Sequence, residues 1–388
     1  MLYEANNVRS WASDIDGETI VQAERTARLP ILAGPVALMP DAHVGIGATV
    51  GSVVATKDAV IPSAVGVDIG CGMIAVRTDL NASHLPDDLS VLMPEIERSI
   101  PAGAGMGHSA STKAADAWFA KHGMPETVSG DSKLSSTALT QFGSLGGGNH
   151  FFEVCLDEDD TVWVVLHSGS RGVGNKLGTM HIKVAERLAE AASIPLEDKA
   201  LAWLQAGTPE FDAYIRDMLW AQEYAFGNRT AMMDSALKAI FRQLGMGSEA
   251  GRINCHHNFC QQEHHGGQSV WVTRKGAIKA DMGDWGVIPG SMGAQTFIVS
   301  GKGHPGAYTS CSHGAGRKMS RGEAKRRFTT DDLTRQMTGV TWNSDRASSL
   351  VDEIPSSYKD INQVMADQQD LVEVHGVLRQ ILNFKGTN

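Results

Sequence analysis

Short apolar runs separated by glycine-bearing polar turns dominate residues 36–76. Val36-Ala37-Leu38-Met39, Val53-Val54-Ala55-Thr56, Ala64-Val65-Gly66-Val67 and Met73-Ile74-Ala75-Val76 each read as a buried strand, too short for a helix and rich in β-branched residues. The first ends at Pro40-Asp41-Ala42-His43, before a loop with glycines at 45, 47 and 51. The third delivers Asp68 and Cys71 on a tight turn. Residues 17–28 form an amphipathic helical pattern stopped by Pro30.

The period then changes. Residues 87–100 read as a helix interrupted at Pro94, and residues 102–140, rich in Gly, Ser and Ala, as loops and short helices. Residues 151–156 and 162–166 predict a hairpin turning at Asp157-Glu158-Asp159-Asp160. Antiparallel pairing then draws His150, at its start, towards His167, at its end. Residues 175–193, ended by Pro195, and 209–245 read as helices. The second carries apolar positions at Leu219, Ala225, Met232, Leu237 and Ile240 and is expected to cover the sheet. Strands are expected at 269–273 and 296–299, and Ser320-Arg321-Gly322-Glu323 has the spacing of a capping box opening a basic helix. No repeat, linker or low-complexity tract breaks the chain, so residues 1–388 are expected to form a single domain of α+β (mixed α/β) class.

Composition narrows the function classes. A chain of 388 residues with 42% hydrophobic content builds a large core. No apolar run approaches the roughly 20 residues that span a bilayer, and Met1-Leu2-Tyr3-Glu4-Ala5-Asn6-Asn7 lacks a signal-peptide pattern. A cytoplasmic protein is expected. Five cysteines without scaffold spacing argue against a disulfide framework. The net charge of −10 speaks against a protein that coats nucleic acid. Positive charge nevertheless clusters at Arg317, Lys318, Arg321, Lys325, Arg326 and Arg327, either as a solvated helix face or as phosphate contacts.

Asp68, Cys71, His150, His167 and His257 make a mixed oxygen, sulfur and nitrogen donor set that suits manganese, iron, cobalt or zinc. Singly, each histidine reads as a hydrogen-bonded core residue; together they point to a metal. No closed CxxC…CxxC pattern is present, so an open site with room for phosphate fits better than structural zinc. His256 and His257 are adjacent, and only one is expected to be a ligand. His313 sits among small residues as a metal ligand, general base, nucleophile or structural turn residue. Gly314-Ala315-Gly316 frees backbone N–H groups for phosphate, and Arg317 suits bidentate pairing with it. Asp41 either orients such a histidine or caps a turn. His264 and His265 read as solvated, and His84, His108, His122, His181, His304 and His375 as surface or packing residues.

Several of these stretches resemble one family. They are Met39-Pro40-Asp41-Ala42-His43, Gly66-Val67-Asp68-Ile69-Gly70-Cys71-Gly72-Met73, Gly148-Asn149-His150-Phe151 and His167-Ser168-Gly169-Ser170-Arg171-Gly172, followed by Asn254-Cys255-His256-His257-Asn258, Arg274-Lys275-Gly276-Ala277, Ile288-Pro289-Gly290-Ser291-Met292-Gly293, Ser312-His313-Gly314-Ala315-Gly316-Arg317 and Tyr358-Lys359-Asp360-Ile361. From about residue 36 to Lys385 the chain resembles the RtcB family of GTP-dependent RNA ligases, in its bacterial form.

The resemblance implies a single RtcB-like domain whose sheets line a central metal-containing cleft. It implies two Mn²⁺ ions: one on Asp68, Cys71 and His150, the other on Cys71, His167 and His257. His313 would carry GMP as a phosphoramidate, pass it to an RNA 3′-phosphate, and a 5′-hydroxyl would then displace it. A 2′,3′-cyclic phosphate would first be opened at the same site. Nucleotide contacts would come from Asn149, His150, Glu153, His257, Asn258, Pro289, Gly290, Ser291, Met292, Thr296, His313, Gly314, Ala315, Gly316, Tyr358 and Lys385. Arg171, Arg317, Lys318 and Arg321 are the candidates for RNA phosphate. Thr296 stands where many members have serine, and Thr387-Asn388 follow the usual terminal Lys-Gly. The implied partners are GTP and RNA with 3′-phosphate or 2′,3′-cyclic phosphate and 5′-hydroxyl ends, with room for an activating protein; a monomer is expected. Splicing of tRNA and repair of broken RNA use the same chemistry. The alternative is a metal-dependent phosphoesterase or nucleotide-binding protein that keeps the metal site without joining RNA; His313 and Lys385 favour the ligase.

Overall fold

The apolar segments pair into two large sheets that meet at one residue, His257. In the computed structural model, which describes residues 1–386, a six-stranded sheet has the order Tyr3–Ala5, Val8–Ser10, Val36–His43, Val50–Thr56, Gln268–Lys275, Asn258–His265. The main path of the second sheet runs Glu249–His256, Gly72–Asn81, Thr161–Ser168, Phe151–Leu156, Val372–Phe384, Thr296–Gly301, Trp285–Pro289. Glu249–His256 and Asn258–His265 thus belong to different sheets, and His257 is the step between them. Thr387 and Asn388 lie outside the described residues.

The expected hairpin forms as Phe151–Leu156 and Thr161–Ser168, with Phe151 opposite His167. The His150 and His167 rings stand edge to face with centroids 5.1 Å apart. Of the helices Arg171–Ala191 and Pro209–Leu244, which pack on each other, the second covers this sheet. The second is started by Thr208, whose side chain accepts from the Phe211 N–H, with Pro209 in its first turn, and it is stopped by left-handed Gly245. Tyr214, Met218, Ala221, Ala225, Met232, Ala236 and Ile240 form its buried stripe. Leu219, expected on that stripe, is 40% exposed because it lies one position off it.

Two sequence expectations are corrected. Ala64-Val65 closes a short helix, Pro62–Val65, rather than a strand: Pro62 starts it and Gly66, at φ +85°, ends it. Pro94 does not interrupt a helix but sits in the first turn of Met93–Ser99, where its missing N–H costs nothing. The tract at 102–140 is, as expected, loops and short helices: Lys113–His122, Glu126–Ser129 and Ser132–Gln141. Val372–Phe384, an unforeseen strand of 13 residues, joins the Phe151–Leu156 hairpin to Thr296–Gly301.

Arg229, on the long helix, is fully buried. It donates to the carbonyls of Gly70 at 2.7 Å and Ser168 at 3.0 Å, and to the Asn254 side chain at 2.8 Å. Helix and sheet are thereby tied beneath Asp68 and Cys71. Arg229→Leu leaves those acceptors without a donor and is expected to cost about 3 kcal/mol or more. Urea unfolding read by circular dichroism checks this; an unchanged midpoint would refute it.

Candidate active site

The junction of the sheets places side chains from distant segments in one cavity of about 320 Å³. The Cys71 carbonyl accepts from the His257 N–H at 2.8 Å and the Asn258 N–H at 3.2 Å, which locks the Asp68–Cys71 turn to the strand crossover. Gly169 allows Asp68 to close in, because a Cβ at position 169 would collide with the Asp68 carboxylate.

Cys71 Sγ lies 3.3 Å from His150 Nε2 and 3.2 Å from His167 Nε2. His167 Nε2 is 3.2 Å from His257 Nε2, and His150 Nε2 is 3.0 Å from Asp68 Oδ2. The Asn149 carbonyl, 2.9 Å from His167 Nδ1, can only accept; Nδ1 therefore carries the proton and Nε2 presents a lone pair. Burial holds His167 and His257 well below the ordinary imidazole range, so both are neutral. Lone pairs on nitrogen and sulfur crowded in a buried space repel one another unless a cation sits among them. Cys71, His150 and His167 accordingly form a buried cluster able to hold a metal ion, with His257 and Asp68 adjoining. Burial and the neighbouring Asp68 charge push the Cys71 thiol well up, a shift that a bound cation reverses. His256 turns away: its Nδ1 is 2.9 Å from the Gly70 carbonyl.

His313 follows the strand Ser310–Ser312, and its ring stands edge to face over His257 with centroids 4.8 Å apart. Its Nδ1 lies 2.6 Å from Asp41 Oδ2. The same carboxylate oxygen accepts from the N–H groups of His313 at 3.1 Å and Gly314 at 3.2 Å. Burial opposes ionisation of Asp41, yet its partners, His313 foremost, hold it below the ordinary carboxylate range. Asp41 thus faces Nδ1 of His313 with a carboxylate that can only accept, so a proton held there leaves Nε2 with its lone pair. Gly316, at φ +72°, packs where any Cβ would strike the Asp41 carbonyl.

The cavity is also lined by Asn149, Glu153, Asn258, Pro289 to Met292, Tyr358 and Lys385. Glu153 accepts from the Asn383 side chain at 2.8 Å, and burial, against the pull of Lys385, pushes it up to about 8. Sequence reasoning missed Glu353, which no local pattern marks. It is buried, accepts from Tyr358 Oη at 2.8 Å and Lys385 Nζ at 3.1 Å, and lies 2.7 Å from Arg321. It also missed His43 and the chemistry of Lys275, both of which line the cavity.

Arg317 and Arg321 line the cavity, and Lys318 is exposed. Thr296 is buried one strand over, opposite Pro289, and does not line the cavity. Arg171 is largely buried and donates to Ser144 Oγ and to the carbonyls of Gly103 and Met106. Those bonds make it an anchor for residues 103–106 instead of an open phosphate contact. His265, expected to be solvated, lies 2.7 Å from Glu263, which also pairs with buried Arg274. His181 forms a buried pair with Asp217 at 2.8 Å.

Cobalt(II) tests the cluster without reference to activity. Titration is expected to give a sulfur-to-cobalt charge-transfer band that Cys71→Ser abolishes, with affinity falling at least ~10-fold in His167→Ala. An unchanged band in Cys71→Ser would remove the thiolate from the ligand set.

The model of the family described as tRNA-splicing ligase RtcB matches residues 22–386. The chain is 43% identical over 398 residues to the RNA-splicing ligase RtcB of Escherichia coli K12, covering 98% of this chain and 97% of that protein. It is 29% identical over 414 residues to the RNA-splicing ligase RtcB of Mycobacterium tuberculosis (89% and 95%) and 28% over 454 residues to the tRNA-splicing ligase RtcB of Nanoarchaeum equitans (97% and 94%). With matches that run nearly end to end, across the segments that build the sheet junction, this chain belongs to the RtcB family.

Proposed function

We propose that the protein is a GTP- and Mn²⁺-dependent RNA ligase that joins RNA 3′-phosphate or 2′,3′-cyclic phosphate ends to 5′-hydroxyl ends. The observation that carries this reading is the Asp41–His313 pair beside the buried thiol–imidazole cluster. It sets a nucleophilic nitrogen next to a place for divalent cations. When bound, the metal ions offset the charge of the phosphoryl groups in transfer.

His313 Nε2 attacks the α-phosphorus of GTP; a P–N bond forms and the P–O bond to pyrophosphate breaks. Asp41 holds the Nδ1 proton in place and balances the positive charge that develops on the ring. The N–H groups of Gly314 to Gly316, with Arg317 and Arg321, meet the phosphate oxygens. GMP then passes from His313 to the RNA 3′-phosphate, and the 5′-hydroxyl displaces GMP to form a 3′–5′ phosphodiester. A 2′,3′-cyclic phosphate is opened by water to the 3′-phosphate beforehand. Glu153 accepts the donors of the guanine edge, Lys385 supplies a donor, and Tyr358 offers a stacking face.

Incubation with α-³²P-GTP and Mn²⁺ is expected to leave acid-labile, base-stable label on the protein. His313→Ala should carry none, and Asp41→Asn should label about 100-fold more slowly or worse. Absence of label on folded, Mn²⁺-loaded wild type would overturn autonomous ligation.

Guanine binding should also depend on pH. An ionised Glu153 accepts two N–H groups, whereas the neutral acid spends one oxygen as a donor. Because its acid form dominates below about 8 in the free protein, GTP affinity is expected to rise with pH up to that value, by at most ~10-fold per unit. Calorimetric GTP titration at neutral pH in two buffers of different ionisation heat should show close to one proton released. Zero protons would contradict it.

A further inference from the structure

The joining step asks for something that none of the residues named above supplies: an acceptor for the proton of the attacking 5′-hydroxyl. Four imidazoles line the cavity, those of His43, His167, His257 and His313. His167 and His257 face the metal cluster, and His313 is the nucleophile. Among the carboxylates there, Asp68 adjoins the cluster, Glu153 reads guanine, and Glu353 is held by Tyr358, Lys385 and Arg321. Lys275 donates to the carbonyls of Ile46 and Ser63. His43 alone among these is uncommitted.

His43 ends the strand Val36–His43, two residues after Asp41, and both lie beyond the irregularity in the pairing with Val50–Thr56 that follows Leu38. Its Nδ1 is 3.0 Å from the Asp41 carbonyl. That oxygen can only accept, so Nδ1 carries the proton and Nε2 keeps its lone pair. Nε2 has no protein partner among the described residues. Directly after His43, Val44 and Ile46 stand 40% and 82% exposed, which places this histidine where the cavity opens to solvent. A second polynucleotide end would enter from that side, opposite the buried guanine end.

We propose that His43 Nε2 takes the proton of the RNA 5′-hydroxyl during joining, an inference that rests on the RNA-ligase reading. As the 5′-oxygen bonds to the 3′-phosphorus, the P–O bond to GMP breaks, GMP leaves as an anion, and the hydroxyl proton moves to Nε2. The resulting imidazolium lies near Asp41, which offsets it, with Lys359 the neighbouring cationic group and the His313 ring alongside. Burial pushes the free imidazole down to about 4, so the acceptor form prevails at neutral pH. A substrate phosphate bound alongside raises its proton affinity.

The test separates the steps in the full-length, Mn²⁺-loaded protein, comparing wild type, His43→Ala and His43→Gln. Label from α-³²P-GTP reports guanylylation, and single-turnover sealing of a pre-activated RNA(3′)pp(5′)G end to a 5′-hydroxyl strand reports joining. Expected is joining slowed roughly 100-fold in both variants, restored in part by added imidazole in His43→Ala, with guanylylation changed less than about threefold. Retained guanylylation also shows that the variants fold. Joining at the wild-type rate overturns the proposal. So does a parallel loss of both steps, which would make His43 a support for the Asp41–His313 pair, and so does a slowed joining step that imidazole does not rescue. Failure of wild type to label at all is a different result and counts against the ligase reading itself.

Discussion

Everything at the centre of this molecule depends on a crowded group of donors that would repel one another in isolation. Cys71 Sγ and the Nε2 atoms of His150, His167 and His257 lie within about 3.3 Å of their neighbours. Such crowding is sustained by the backbone around it. The Cys71 carbonyl takes two N–H groups from the strand crossover, and Asn149 fixes the His167 tautomer. Arg229 ties the Gly70 and Ser168 carbonyls to the long helix. A frame of this kind keeps the donors in place for a cation.

At one end of the cavity stand the cluster and the Asp41–His313 pair. At the other, Glu153, Asn383, Glu353, Tyr358 and Lys385 form a buried polar network. Glu353 links the two ends, because it meets both Lys385 and Arg321. A single carboxylate thereby couples Lys385 to Arg321. Against the net charge of −10, the cavity keeps positive groups at Arg317 and Arg321.

Much of this was legible in the residues themselves. Periodicity located the hairpin that pairs Phe151 with His167, the long helix from 209, and the capping residue Ser320. Donor chemistry and glycine context picked out Asp68, Cys71, His150, His167, His257, His313 and Asp41, because soft and borderline ligands among glycines are rare in a plain core. Local errors came where one residue has two uses. Pro62 and Pro94 start helices and Gly66 ends one, while a run such as Ala64-Val65 fits either a strand or a helical turn.

The remaining decisions belonged to tertiary structure, for a physical reason: pairing across the chain leaves no trace in a local pattern. Only the sheet order reveals that His257 is the step between two sheets and that Val372–Phe384 carries Asn383 alongside Glu153 and leads into Lys385. Only burial and geometry show that Arg171 is spent on carbonyls, that Glu353 gathers three partners, and that His43 keeps a nitrogen free. The sequence determined which chemistry the chain can perform; the fold decided which of its candidate residues are committed and which are still open to a substrate.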